Sequence, residues 1–222
     1  MEKIEIYIAD TASLKDAAVF EKKLSLLQHA EQIHVLQKRK EEDRCNTLGA
    51  LLLLRHALAT HGIDTFEIAK DQNGKPYLVG EDLPFFNLSH SRDRAMCVLS
   101  DRTVGCDVQW MDPKISLGVA DRFFSSAECA LIRSEKNEEA QHLMFYRLWT
   151  LKESLAKATG EGVARSFSSF SVLPEKDGYR LFDERAVGAW HFFEAYAEAE
   201  YRYAVCGAQN SVANACRVDV SN

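Results

Sequence analysis

The sequence predicts an α+β fold, because helix-like and strand-like segments are mixed along its 222 residues. Apolar and polar residues alternate at 4–9, which is the period of a half-buried strand. By contrast, residues 41–61 and 139–159 have the length and the apolar spacing of long helices. Short strand-like segments return in the last third of the chain, at 167–173, 178–182, 190–197 and 202–206.

The remaining elements follow in order between these segments. Shorter helices are expected between residues 14 and 37, and a strand-like apolar run covers 95–99. A further strand begins at Val104, and residues 126–133 predict a helix before the long one. The run from Leu51 to Leu54 is the longest strongly apolar patch, and it is far too short to span a bilayer. We therefore expect no membrane association.

Composition narrows the possible functions. With 46% hydrophobic residues the chain can build a substantial core, and a formal net charge of −6 argues against a nucleic-acid partner. The first residues lack the apolar block of a signal peptide. The chain contains six scattered cysteines without a C-x-x-C pair, namely Cys45, Cys97, Cys106, Cys129, Cys206 and Cys216. Such cysteines are typical of buried, reduced thiols, which predicts a cytoplasmic protein.

A possible metal site lies on the strand that begins at Val104. Residues 104–109 alternate, so Asp107 and Gln109 share one face with their Cα atoms about 6–7 Å apart. Gly105 beside them leaves room for a bulky group to approach. Carboxylate and amide oxygens suit Mg²⁺, which is usually held by one or two carboxylates, water and substrate phosphates. The alternative is a strand whose polar face is simply solvated.

The long helix carries an acid on its apolar side. Glu153 lies on one stripe with Tyr146 and Trp149, where a carboxylate needs a cation. Lys157, one turn further on, supplies one in the favourable order, and a metal ion could supply more charge. The alternative is an ordinary ion pair on a half-exposed helix edge.

Together the strand and the helix resemble the 4′-phosphopantetheinyl transferases of the large, surfactin-synthetase-activating type. Residues 104–109, V-G-C-D-V-Q, are similar to the family's V/I-G-I-D-I-E strand, and residues 145–157 to its F-x-x-x-W-x-x-K-E-x-x-x-K helix. Three more segments match in the same order, a G-K-P turn at 74–76, F-N-L-S-H-S at 86–91 and R-F-F-S-S-A-E at 122–128. The five blocks cover residues 73–162, and their shared order is far more specific than a single motif.

This resemblance implies two similar α+β subdomains related by pseudo-twofold symmetry, with coenzyme A bound between them. We expect the subdomains at 1–103 and 104–207, followed by a flexible polar tail at 208–222. It also implies a reaction, the Mg²⁺-dependent transfer of 4′-phosphopantetheine from coenzyme A to a serine of a carrier protein. The other product is adenosine 3′,5′-bisphosphate.

The same resemblance assigns roles to individual residues. Mg²⁺ would bind Asp107 and Glu153, with Gln109 contributing through a water molecule. Lys157 would stabilise or protonate the departing phosphate, while Glu153 or a metal-polarised water takes the serine proton. Coenzyme A would contact a further set of residues: Lys75 and Pro76 at the adenine, Ser89 and His90 at the phosphates, and also Lys152 and Arg44.

Two positions depart from the family pattern. Gln109 stands where the family commonly has a third acid, and an amide is a weaker Mg²⁺ ligand than a carboxylate. Asn46 stands where an arginine usually helps to grip the 3′-phosphate of the nucleotide. The basic residues before it are candidates for that task only as a group, Lys38, Arg39, Lys40 and Arg44.

The partner is expected to be an acyl or peptidyl carrier protein that docks on a monomeric enzyme. Carrier proteins of this type are acidic, so an enzyme that is net negative needs a local basic and apolar patch. We expect this patch between residues 112 and 131, at Lys114, Ile115, Leu117, Arg122 and Phe123. At least one of Phe123 and Phe124 is expected in the core instead. Two other classes remain open, a Mg²⁺-dependent phosphohydrolase and a non-catalytic module that binds coenzyme A or carrier proteins.

Overall fold

The computed structural model describes residues 1–162 and 166–221. The first half of the chain contains, in order, β1 (Glu5–Asp10), α1 (Ala17–Leu24), α2 (His29–Leu36), α3 (Glu41–Ala59), β2 (Ile68–Lys70), β3 (Pro76–Leu78), β4 (Phe85–Ser91) and β5 (Arg94–Ser100). The second half contains β6 (Val104–Trp110), α4 (Ala120–Phe123), α5 (Ser126–Ser134), α6 (Glu138–Thr159), β7 (Ser171–Glu175), β8 (Gly178–Phe182), β9 (His191–Glu198), β10 (Tyr201–Gly207) and β11 (Cys216–Val218).

The two halves repeat one topology. Each half has a strand, a long helix, a small hairpin and two more strands, so that β1, α3, β2–β3, β4 and β5 correspond to β6, α6, β7–β8, β9 and β10. In each sheet these three strands pair antiparallel with the last of them in the middle, giving the orders β1-β5-β4 and β6-β10-β9. The fold is therefore α+β with two similar halves, as the sequence motifs imply.

The two sheets pack face to face between the two long helices. Apolar side chains of β1 and β5, such as Ile6 and Val98, meet Val108 of β6 and Val205 of β10 in a core between the sheets. Helix α3 covers the outer face of the first sheet, and α6 covers the outer face of the second. The result is four layers, helix, sheet, sheet and helix, each burying one apolar face against the next.

We expected residues 208–222 to form a flexible tail, but much of this segment packs against the first half of the protein. Residues 216–218 form β11, which pairs in parallel with the outer edge of β1. Before β11, the main chain of Ile4 forms hydrogen bonds with the main chain of Ser211 and Ala213. After β11, Val220 is only 5% exposed and belongs to the apolar core between α3 and the first sheet. The prediction failed because the edge of β1 offers unpaired main-chain N–H and C=O groups, and pairing with them does not require an apolar sequence.

Other differences from the expected elements are smaller. Residues 167–169 form a 3₁₀ turn before β7, and β2 and β3 are three-residue strands that are too short to show a period. Cys97 and Cys106 are buried as predicted, whereas Cys216 is exposed, and no cysteine among the described residues forms a disulfide. Within those same residues, no helix has the length and apolar character needed to cross a membrane.

Candidate active site

The two halves meet along a polar seam between β4 and β6. These strands belong to different sheets, so no main-chain ladder joins them. Side chains of β4 bond to the main chain of β6 instead. Alternate residues of a strand share one face, so every second side chain of β4 reaches β6. Three of them accept hydrogen bonds from main-chain N–H groups of β6: Asn87 from Cys106 (2.9 Å), Ser89 from Val108 (3.1 Å) and Ser91 from Trp110 (3.0 Å).

A charged pair lies at the middle of this seam. Lys157 of α6 donates through Nζ to Oδ1 of Asp107 (2.7 Å) and to Oγ of Ser89 (2.9 Å), and Ser89 donates to the same Oδ1 (2.9 Å). Asp107 is only 5% exposed, so the alternative of a simply solvated polar face does not hold at this residue. Burial alone would lower the pKa of Lys157, but Asp107 more than compensates and the pKa is raised. Lys157 is therefore a cation at neutral pH.

Gly105 determines how closely α6 approaches β6. A Cβ atom at this position would lie 2.2 Å from the carbonyl oxygen of Ser154 and 2.3 Å from the main-chain nitrogen of Ala158. The bulky group that approaches Gly105 is therefore the backbone of α6. This close approach is what brings the α6 side chains down to Asp107.

The carboxylates at the seam fit a divalent cation. Oδ2 of Asp107 is buried and has no hydrogen-bond partner among the described residues. Glu153 is half-buried, and within the same part of the chain it has no hydrogen bond or ion pair. Burial raises the pKa of Glu153 and the charge of Asp107 raises it further, while Lys157 opposes both effects. Two carboxylates near one lysine leave negative charge that a hard cation such as Mg²⁺ would neutralise.

The third expected ligand is the weakest. The side-chain nitrogen of Gln109 donates to the carbonyl oxygen of Trp110 at 3.2 Å, so only its amide oxygen is available to a metal or a bridging water. Among the described residues no three His, Cys, Asp or Glu side chains cluster in a way that could hold a metal. A cation at this site would rely on two carboxylates and on substrate phosphates.

His90 follows Ser89 on β4, next to the charged pair of the seam. His90 is exposed, but partial desolvation of its ring lowers its pKa, and the charges of Lys157 and Lys38 lower it further, while Asp43 opposes them. In the segment before α3, Nε of Arg44 donates to the carbonyl oxygen of Lys38 at 2.8 Å. Asn46 is buried and accepts a hydrogen bond from Thr11 (3.0 Å), so it faces the core rather than this edge.

Comparisons with known proteins identify the family of this chain. A family model for the 4′-phosphopantetheinyl transferase superfamily matches residues 103–206, which include β6 and α6. A 4′-phosphopantetheinyl transferase of Bacillus subtilis is 32% identical over 172 residues, which are 76% of either chain. This chain belongs to the 4′-phosphopantetheinyl transferases. The Sfp transferase of Bacillus subtilis strain 168 is 33% identical over 175 residues, again 76% of either chain.

Among solved structures, the transferase matches a holo-[acyl-carrier-protein] synthase of Thermotoga maritima over 47% of its own chain and 61% of that chain. The identity is 21% and the TM-score is 0.41. As a member of its family, the transferase is an enzyme that moves 4′-phosphopantetheine from coenzyme A to carrier proteins.

The ammonium group of Lys75 in the transferase binds main-chain carbonyl groups within the protein. Its Nζ donates to the carbonyl oxygens of Ala158 (2.7 Å) and Val104 (3.2 Å), and burial lowers its pKa. The last carbonyls of a helix have no partner within the helix, and α6 ends at Gly160 in the left-handed conformation. Lys75 therefore caps α6 and links the β2–β3 hairpin to the second half.

The prediction that Lys152 binds coenzyme A is wrong. Lys152 is 0% exposed, and its Nζ donates to both carboxylate oxygens of Glu128 and to the carbonyl oxygen of Phe170, each at 2.7 Å. Glu128 is also 0% exposed and accepts from the main-chain nitrogens of Ser125 and Val172. The S-x-x-E capping box at 125–128 predicts the bond of Glu128 to the main chain of Ser125, but it gives no sign of the partner on α6.

The expected docking segment is partly exposed and partly core. Lys114 and Arg122 are exposed. Phe123 is 39% exposed and contacts Trp149 edge to face, whereas Phe124 is 3% exposed and packs against Phe145. One of the two phenylalanines is therefore a core residue, as we predicted. Ile115 and Leu117 are half-buried against the cluster formed by α4, α5 and α6. Trp149 lies one turn before Glu153, so this surface borders the carboxylates.

Proposed function

We propose that Asp107 and Glu153 together bind Mg²⁺, and that phosphopantetheine transfer takes place where these carboxylates and Lys157 meet at the seam. The observation that carries this proposal is the buried Oδ2 of Asp107, close to the carboxylate of Glu153, since neither has a hydrogen-bond partner within residues 1–162 and 166–221. When bound there, Mg²⁺ supplies positive charge that neutralises the pyrophosphate of coenzyme A. The amide of Gln109 completes the site through water.

The residues of the chain supply the remaining chemistry. The serine Oγ of the carrier forms a bond to the β-phosphorus of coenzyme A, and the bond from that phosphorus to the bridging oxygen breaks. Lys157, kept cationic by Asp107, stabilises the departing adenosine 3′,5′-bisphosphate. Glu153 is the carboxylate proposed to accept the serine proton, because one oxygen of Asp107 is already engaged by Ser89 and Lys157. The largest contribution comes from holding the serine in line with the phosphorus.

The nucleotide is proposed to lie along the edge from His90 to the start of α3. His90 has a lowered pKa and is neutral at neutral pH, so it donates a hydrogen bond to phosphate rather than a full charge. Positive charge for the 3′-phosphate comes from the segment with Lys38 and Arg44. The adenine is proposed to border the β2–β3 hairpin at Pro76 and the aliphatic part of Lys75.

The carrier protein is proposed to dock beside α4, where Lys114, Arg122 and Phe123 are exposed. Basic groups around an exposed aromatic side chain suit an acidic partner, and the patch lies next to the helix that carries Glu153. The enzyme is proposed to act as a monomer in the cytoplasm, whose reducing conditions suit its unpaired cysteines.

The metal site is tested by labelling an apo acyl carrier protein with coenzyme A and measuring its mass increase. Asp107→Ala and Glu153→Gln should each abolish labelling at saturating Mg²⁺ without unfolding the protein. Glu138→Gln, the same change at the exposed start of α6, is the matched control and should label normally. Near-normal labelling by Asp107→Ala would refute the proposed site. Consumption of coenzyme A without labelling would instead indicate a phosphohydrolase, and binding without consumption a non-catalytic module.

The docking surface needs its own measurement. Lys114→Glu and Arg122→Glu should raise the KM for the carrier, leave the KM for coenzyme A unchanged, and lose their effect at high salt, where surface charges are screened. Lys176→Glu in the turn between β7 and β8 is the control for a change of net charge. Equal carrier KM values for all three variants at low salt would place the docking surface elsewhere.

A further inference from the structure

We propose that Ser89 is a positioning residue, which fixes the metal-binding carboxylate of Asp107 and the amine of Lys157, rather than a ligand of the coenzyme A phosphates. This inference rests on the proposed metal site. A serine hydroxyl can donate one hydrogen bond and accept two. Ser89 donates to Oδ1 of Asp107, and it accepts from the main-chain nitrogen of Val108 and from Nζ of Lys157.

The hydroxyl of Ser89 is therefore saturated by the protein. Its three bonds measure 2.9–3.1 Å, and the residue is 5% exposed. A phosphate oxygen is an acceptor and would need the single proton of this hydroxyl, which already points to Asp107. Binding a phosphate would thus break the bond that holds the carboxylate. Direct phosphate contact is better suited to His90, the neighbouring residue of β4, which is exposed.

The bond from Ser89 decides which oxygen of Asp107 faces the ligand. Oδ1 is engaged by both Ser89 and Lys157, and Oδ2 is left without a partner among the described residues. A carboxylate held by one oxygen in this way presents the other in a fixed orientation. Residues that hydrogen-bond to metal ligands tune metal affinity by orienting them, and losing one typically costs 10–100-fold. Ser89 acts on the metal through Asp107.

The seam provides a matched control. Ser91 is the same residue type on the same face of β4, two positions further on, and it accepts from the main-chain nitrogen of Trp110 at 3.0 Å. Within the described residues Ser91 makes no second side-chain bond. Ser89→Ala and Ser91→Ala thus remove the same kind of hydrogen bond from the seam. Only Ser89→Ala also releases Asp107 and Lys157.

The experiment measures metal and nucleotide binding separately, without turnover. Mn²⁺ is titrated into the free enzyme by electron paramagnetic resonance, and coenzyme A is titrated in EDTA by calorimetry. We expect Ser89→Ala to weaken Mn²⁺ binding about tenfold or more and to change coenzyme A binding less than about twofold. Ser91→Ala should bind both as the wild type does. His90→Ala should weaken coenzyme A binding in EDTA.

The isosteric pair Ser89→Thr and Ser89→Val repeats the comparison at constant volume if the alanine variant does not fold. Ser89→Thr, which keeps a hydroxyl group, should bind Mn²⁺ as the wild type does. Ser89→Val, which lacks the hydroxyl group, should bind Mn²⁺ more weakly.

Each other outcome overturns a defined part of the argument. Equal Mn²⁺ affinity in Ser89→Ala and Ser91→Ala, with Asp107→Ala unable to bind, would overturn this inference alone. Loss of coenzyme A affinity in EDTA with normal Mn²⁺ affinity would make Ser89 a phosphate ligand and also overturn it. Normal Mn²⁺ binding by Asp107→Ala would refute the metal site, and this inference would fail with it.

Discussion

Replacing Lys152 by methionine should lower the free energy of unfolding by about 3–5 kcal/mol, the usual cost of breaking a fully buried ion pair. Both partners are 0% exposed, and the ammonium group makes three bonds of 2.7 Å. The change leaves the Glu128 carboxylate with two main-chain donors and no cation. It also removes the donor to Phe170. For a chain of this length the corresponding fall in Tm is about 6–20 °C.

Glu128→Gln should be as costly, because it leaves an ammonium ion buried without a counter-charge. The double variant should lose less than the sum of the two single losses, with a coupling of about 2 kcal/mol or more, since it removes both charges together. Urea denaturation followed by circular dichroism gives all three values. A loss below about 1 kcal/mol for Lys152→Met, or additive losses in the double variant, would show that the buried pair does not stabilise the fold as argued.

The same variant separates structural from ligand-binding roles. At 10 °C, where Lys152→Met should still be folded, we expect the Kd for coenzyme A to match that of the wild type. A higher Kd with unchanged stability would restore the role in coenzyme A binding that the sequence motif implied.

Three further outcomes are expected. Gln109→Glu should strengthen Mg²⁺ binding in calorimetric titrations, since it adds a charged oxygen beside the other carboxylates. Gly105→Ala should abolish transfer and lower the Tm, because its Cβ would displace the backbone of α6 from β6. Burial alone would raise the pKa of Glu198, but hydrogen bonds from Arg94 and Tyr203 outweigh it and the pKa is lowered. The ionised carboxylate of Glu198 therefore stabilises the fold above its ordinary pKa of 4.5, and this stabilisation is lost as the pH falls. The Tm of Glu198→Gln should therefore fall less steeply than that of the wild type when the pH is lowered below 4.5.

The elements with a clear period could be predicted from the sequence. The strand from Val104 and the long helix were found close to their observed bounds, because burial of one face imposes a period of 2.0 or 3.6. The helix stripe also marked Glu153 and Lys157 as neighbours on α6. The three-residue strands β2, β3 and β11 carry no such pattern, since pairing there depends on main-chain groups that every residue has.

The ion-pair partners of the α6 lysines could not be predicted from the sequence. Lys152 and Lys157 lie on the same helix in similar sequence surroundings. Lys152 nevertheless pairs with Glu128 of α5 in the core, and Lys157 pairs with Asp107 at the seam. Nothing local distinguishes them, because tertiary packing alone decides which acid each side chain reaches. Ser89 was found through its motif, but its saturated hydroxyl depends on contacts with residues distant in sequence.

Pairing of β11 with β1 has a consequence for biosynthesis. The strand that closes the first sheet comes after the whole second half in the chain, and Gln209 bonds to the carbonyl oxygen of Met1 across 208 residues of chain. Until residue 218 emerges, the edge of β1 stays open to other strands, and such edges promote mispairing between nascent chains. The amino-terminal half thus reaches its final state only after the carboxyl-terminal half has been made.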